Sequence, residues 1–170
     1  MNAMKLILLF TVGLLALAGC NNNKTHESPN QNISVVDSFT GQLIADTVIY
    51  DVIIHNTNPD DQWAQQCLQY VNQKMLIDSL FNLVYSGEII AYDFFEKKPL
   101  SIREVKKLES VEGFSRDNIG KIQFTERWFF DSSTLNFQKQ VISIVLGYDL
   151  FDPDGNLRGH KPVFKLNLNH

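Results

Sequence analysis

From Ile33 to His55 the chain is rich in β-forming residues and shows little helical periodicity. Its strongest piece, Thr47-Val-Ile-Tyr-Asp-Val-Ile-Ile-His55, predicts a strand, and the unbroken apolar run Val52-Ile53-Ile54 predicts burial on both faces. Asn56-Thr-Asn-Pro-Asp60 is a turn cluster in which Asn58 or Asp60 is placed to cap the helix after it. Asp61 to Ser86 then carries apolar residues at helical spacing. Trp63, Cys67, Tyr70 and Val71 share one face, and Leu76, Leu80, Leu83 and Val84 repeat the pattern. Asn72-Gln73 marks a break between two helices, and Gly87 is placed to end the second in the left-handed conformation. Glu88 to Asp93 reads as a short strand.

Lys97-Lys-Pro-Leu100 is a connector, and Ser101-Ile-Arg-Glu104 matches a capping box that opens a helix running to about Ser110. Gly113 and Gly120 flank an irregular link. Lys121 to Asp131 places Ile122, Phe124, Trp128 and Phe130 on one face of a strand. Ser132-Ser133 turns the chain into a second strand, Thr134 to Tyr148. Asp152-Pro-Asp-Gly155 has the residues of a type I turn. Pro162 to Leu168 returns as an edge strand, because a proline cannot donate to a central ladder. The expected fold class is α+β: an antiparallel sheet with a C-terminal three-stranded meander (about 121–168) packed against helices (about 61–86 and 102–110).

The N-terminal pattern differs. Leu6 to Ala18 is mostly apolar but shorter than the roughly 20 residues a spanning helix needs. With Lys5 before it, it reads as the apolar region of a signal peptide. Leu17-Ala18-Gly19-Cys20 resembles the lipobox of a bacterial lipoprotein precursor. The expected organisation is a removed signal (1–19), a lipidated Cys20 with a disordered tether (20–32), and a single α+β domain (33–170). The tether NNNKTHESPNQN contains no apolar residue and cannot bury enough surface to offset chain entropy. Each buried CH₂ of an attached acyl chain contributes about 0.8 kcal/mol, so two or three chains on Cys20 would hold the protein on the membrane. Asn21, where an aspartate resembles an inner-membrane retention signal, points to the outer membrane. The lone Glu27 near the cysteine points to a periplasm-facing domain.

A formal net charge of −4 gives no reason to expect nucleic acid as a partner. Two cysteines are present, and with Cys20 carrying lipid none is left to pair with Cys67. Cys67 is expected as a buried, inert thiol. Asp152-x-Asp154-x-Asn156 begins like a calcium loop, but Leu157 and Val163 stand where that loop needs glycine and glutamate, so a hairpin turn is the expectation. His26, His55, His160 and His170 lack zinc-ligand spacing. Paired strands would bring Glu126 and Asp131 near Asp149 and Asp152, the groups a glycosidase uses, although acids at strand ends are usually solvated. The sequence thus predicts no catalytic residue, metal or cofactor. Trp128, Phe129 and Phe151 form a candidate partner surface.

Two stretches resemble the GldN/PorN family of gliding motility and type IX secretion. One is Leu76-Ile-Asp-Ser-Leu-Phe-Asn-Leu-Val-Tyr-Ser-Gly-Glu-Ile-Ile-Ala-Tyr-Asp93. The other is Ile122-Gln-Phe-Thr-Glu-Arg-Trp-Phe-Phe-Asp131 with Thr134-Leu-Asn-Phe, Val141-Ile-Ser-Ile and Lys161-Pro-Val-Phe164. The resemblance covers about residues 75–168. It implies a Bacteroidetes-type envelope protein, related to periplasmic subunits that assemble with an outer-membrane lipoprotein into a ring for protein export. Those subunits are not known as enzymes, so no catalytic residue carries over. The expected function is a non-enzymatic, outer-membrane-anchored structural or interaction component with a protein partner in the envelope. The alternative is a lipid-anchored binding module for a glycan or small exported ligand, which requires solvent-facing rings at Trp128 or Tyr148.

Overall fold

Backbone pairing in the C-terminal half builds the sheet on which everything else rests. The computed structural model describes residues 39–168, so the expected signal, Cys20 and tether lie outside the described residues. The elements run β1 (Gln42–Ile53), α1 (Gln62–Leu68), α2 (Gln73–Ser86), β2 (Ala91–Tyr92), α3 (Ile102–Glu109), β3 (Ile119–Asp131), β4 (Asn136–Phe151) and β5 (Leu157–Asn167). All five strands form one antiparallel sheet in the order β1-β3-β4-β5-β2, and the fold is α+β.

Local chemistry sets the helix ends. The Asn72 side chain accepts from the Met75 N–H at 3.0 Å and starts α2, which ends at Gly87 with φ 78°. Ser101 and Glu104 close a reciprocal capping box at the start of α3, with the Ser101 N–H donating to Glu104 Oε2 at 2.7 Å. Each such cap contributes about 1 kcal/mol. A 3₁₀ turn, Arg116–Asn118, leads into β3. There the Arg116 guanidinium sits 4.2 Å over the Phe81 ring and pairs with Asp78 of α2 and Glu109 of α3, tying three elements together.

The core lies between one sheet face and helices α2 and α3. Ile77, Leu80, Phe81 and Val84 recur at i, i+3, i+4 and i+7, so one stripe of α2 faces Ile122, Ile144, Leu146, Phe164 and Leu166. The Phe81 and Phe164 rings meet edge to face, with centroids 5.1 Å apart. Val105 of α3 completes this layer. The helices cover only part of the sheet. Beyond Phe124, the ends of β1, β3 and β4 continue as a three-stranded ribbon that closes at the turn Ser132–Leu135.

Several expectations are corrected. Ile53 is exposed, because among the described residues β1 pairs only with β3 and no layer covers the side opposite the helices there. Leu76 is exposed, and Ile77 and Phe81 take the buried phase of α2. No residue of α1 is buried: Trp63 is 74% exposed and Cys67 is exposed too, as are Tyr70, at 92%, and Val71 just beyond the helix. The period is helical, but no described residue buries it, so Cys67 is not a buried thiol. β5 is not the sheet edge, since β2 pairs with it at Ala91↔Leu166 and Tyr92↔Lys165. Pro162 lies outside that short pairing, where its missing N–H costs no ladder bond on the outer side.

Candidate functional site

Three features could carry function: an apolar cleft and two buried carboxylates. The cleft lies where α3 ends and β4 leaves the core. After α3 the chain turns at Gly113 (φ 81°) and lays Phe114 flat on Tyr148, with ring centroids 5.2 Å apart. The Tyr148 hydroxyl donates to the Gly113 carbonyl at 2.9 Å and accepts from Asn118 at 3.1 Å, fixing that wall. Leu108, Val111, Leu150 and Val163 complete a cavity of about 240 Å³, with Glu112 and Lys161 at its border. Val111 and Leu150 are exposed, as is Phe151 next in the chain.

On the opposite sheet face, Asp149 is 2% exposed. Its Oδ2 lies 3.3 Å from His55 Nδ1, and its Oδ1 lies 3.2 Å from His160 Nε2. The second approach is out of line for a hydrogen bond and leaves Oδ1 without a partner. Gly120 makes the arrangement possible, because a Cβ there would stand 2.2 Å from Oδ1. Burial holds the His160 imidazole below its ordinary pKa, against the pull of Asp149. The trio brackets the end of β1 against β4 and β5. Among the described residues, no group of histidine, cysteine, aspartate and glutamate is arranged to hold a metal ion.

The second buried carboxylate, Glu126, faces the helix side of the ribbon and is 4% exposed. Tyr50 Oη donates to its Oε1 at 2.7 Å and Trp128 Nε1 donates to its Oε2 at 2.9 Å. Lys139 Nζ stands 3.7 Å from Oε2 and lies over the Trp128 ring at 4.9 Å. Burial, followed by the hydrogen bond and the charge of Glu126, pushes the Tyr50 hydroxyl up to about 12.

These positions settle the sequence candidates individually. Glu126 pairs opposite Val141, whereas Asp149 pairs opposite His160, so the two carboxylates are about 25 Å apart along the strand and on opposite faces. The glycosidase pairing is not formed. Asp131 bonds its own turn, accepting from the Ser133 N–H at 2.9 Å. Asp152 does the same, accepting from Asp154 and Asn156 as a hairpin turn does. Trp128, Phe129 and Phe151 do not make one surface. Trp128 and Phe129 are half-buried neighbours on opposite faces of β3, Trp128 against Phe137 and Phe129 stacked on Phe39. Phe151 lies at the far end of β4, exposed and on the sheet face opposite Leu150. Sequence reading missed the cleft and the burial of Asp149; the one available signal was Gly120, a glycine inside an extended segment. Cys20 lies outside the described residues, and no helix among these is long and apolar enough to cross a membrane. Neither a family model nor a curated protein matches the chain.

Proposed function

We propose that the protein is a non-enzymatic lipoprotein of the outer membrane, held by lipid on Cys20 with its domain on the periplasmic side. There it serves as a structural or interaction component of an envelope assembly of the gliding-motility and type IX secretion kind. The observation that supports this reading is the apolar cleft lined by Phe114, Tyr148 and Leu150. Its volume of about 240 Å³ is below the roughly 300–1,000 Å³ of small-molecule sites. It suits one or two apolar side chains of a protein partner, with Val111 and Leu150 as an apolar rim and Glu112 and Lys161 as a polar border. The glycan reading draws less support, because the Trp128 and Tyr148 rings are engaged by Phe137, Glu126 and Phe114 within the domain.

The test places a photo-crosslinking residue at Leu150 in living cells. A discrete adduct with an envelope protein is expected, and Val111→Asp should abolish it. In parallel, Cys20→Ala should move the protein to the soluble fraction. A membrane-bound protein that stays strictly monomeric and gives no adduct from Leu150 would refute the interaction reading.

A further inference from the structure

The free end of the ribbon carries apolar residues that nothing in the described domain covers. Leu43, Ile44 and Phe137 are exposed, and Leu135 is 78% exposed at the crest of the Ser132–Leu135 turn. Leu135 holds φ 56°, a conformation that suits glycine or asparagine, so a branched apolar side chain there is not what the turn itself requires. The stacked pair Phe39–Phe129 flanks the same end. Charge is scarce. Between Phe39 and Ala45, and between Trp128 and Gln138, the only ionisable side chain is Asp131, whose carboxylate is taken up by Ser133 and Thr134 and held below its usual range. The next charges stand further back: the ion pair Arg127–Asp46 at 2.8 Å, and Lys139.

Chain connectivity says what this surface meets. The chain enters the domain at this end: the Thr40 N–H donates to Gln138 Oε1 at 2.9 Å, and Gln42 pairs with Phe130. Residues 20–38 join Cys20 to this point, and fully extended they span about 65 Å. The lipid on Cys20 would therefore hold the ribbon tip, rather than the cleft, beside the bilayer.

We propose that the tip formed by Leu43, Ile44, Leu135 and Phe137 inserts into the interfacial region of the membrane that carries the Cys20 lipid. Inserted this way, the tip brings a single charge toward the acyl boundary, the Asp131 carboxylate, which is hydrogen-bonded within its own turn, and Arg127 and Lys139 stand at headgroup level. This placement rests on the lipoprotein reading above, and the two fail differently.

The two tryptophans supply the probe, since Trp128 lies in the ribbon opposite Ala45 and Trp63 follows the other end of β1 in the chain, where Ile53 stands about 25 Å from Ala45 along the strand. The lipidated full chain is reconstituted in phosphatidylethanolamine/phosphatidylglycerol vesicles containing brominated acyl chains. Trp63→Phe leaves Trp128 as the only reporter, and Trp128→Phe leaves Trp63. Quenching of Trp128 should exceed that of Trp63 by at least about twofold, and Leu135→Asp should lower it without changing circular dichroism. Equal quenching, stronger quenching of Trp63, or no effect of Leu135→Asp in vesicles that retain the protein overturns the tip proposal and leaves the anchor standing. Mature protein with an unmodified Cys20 by mass spectrometry, lost from the vesicles, overturns the anchor itself and the tip placement with it.

Discussion

Replacing Tyr50 with phenylalanine deletes one oxygen and leaves the ring stacked on Phe124 at 5.7 Å, with Lys139 Nζ 5.4 Å from its centre. What disappears is the donor to Oε1 of the buried Glu126. A hydrogen bond to a charged group contributes about 1.5–3 kcal/mol, and here a buried oxygen is left without its donor. The pKa shift sets the pH dependence, since it measures the cost of ionising Tyr50 in the folded state, chiefly through burial and then through Glu126. The Tyr50 hydroxyl rises from 10.0 to about 12. At about 1.36 kcal/mol per pKa unit this corresponds to at most about 2.7 kcal/mol, reduced toward about 2 because the side chain is only half-buried and solvent screens it. The sign follows from which state ionises first. Below pH 10 the phenol is protonated in both states and the stabilisation is complete. Between about 10 and 12 the unfolded chain loses the proton while the folded one keeps it, so stability falls as pH rises. Urea unfolding of wild type and Tyr50→Phe, followed by tryptophan fluorescence, should therefore differ by about 2 kcal/mol at pH 7. The gap should close from about pH 10 to 12. Titration of other groups cancels in the difference. A gap below about 0.5 kcal/mol at pH 7, or one that does not narrow at high pH, refutes the assignment of Tyr50 as the donor that holds Glu126.

Phe81→Ala should cost about 3–5 kcal/mol in the same unfolding assay, because the ring is fully buried against Phe164 and beneath Arg116; a loss under about 1 kcal/mol would mean that α2 does not hold the core. Gly120→Ala should cost about 1–3 kcal/mol in wild type, since its Cβ would stand 2.2 Å from Asp149 Oδ1. In an Asp149→Ala background the same change should cost almost nothing, and additive costs across the double-mutant cycle would show that the crowding lies elsewhere.

What could be read from the sequence was what residues two to four apart decide among themselves. The Ser101–Glu104 capping box, the Gly87 stop, the Asn72 break and the Asp152 turn are closed by neighbours, and each is seen as expected. The reading failed where a distant element decides. The stripes Leu76-Leu80-Leu83-Val84 and Ile77-Leu80-Phe81-Val84 both satisfy a helical period, and the position of Phe164 selects the second. For α1 the period was right and the burial wrong, because periodicity fixes which residues share a face but not whether anything covers it. Val52-Ile53-Ile54 looks like a central strand, yet β1 is an edge and Ile53 faces outward. The carboxylates were misplaced because pairing along β4 was inferred without its register, which shifts between Thr125 and Glu126 and again between Ile119 and Lys121. Each shift turns later side chains to the other face. Asp149 is buried at one such irregularity, and the glycine that lets it in was legible only as a glycine.

The sheet's length gives the two proposals a common geometry. β3 spans about 40 Å at roughly 3.3 Å per residue, with the ribbon tip and the chain entry at one end. The cleft lined by Tyr148 and Leu150 is at the other, since Tyr148 pairs with Ile119. A domain free on its tether would sweep this cleft through a volume that grows with tether length, and its effective concentration toward a membrane partner would fall roughly as the −3/2 power of that length. A domain seated by Leu135 and its neighbours presents the cleft about 40 Å above the lipid whatever the tether length. The two cases thus differ in what the tether is for. In the first it sets how often a partner is met; in the second it only delivers the tip to the bilayer, and the rigid sheet sets the height at which a partner must offer its side chain.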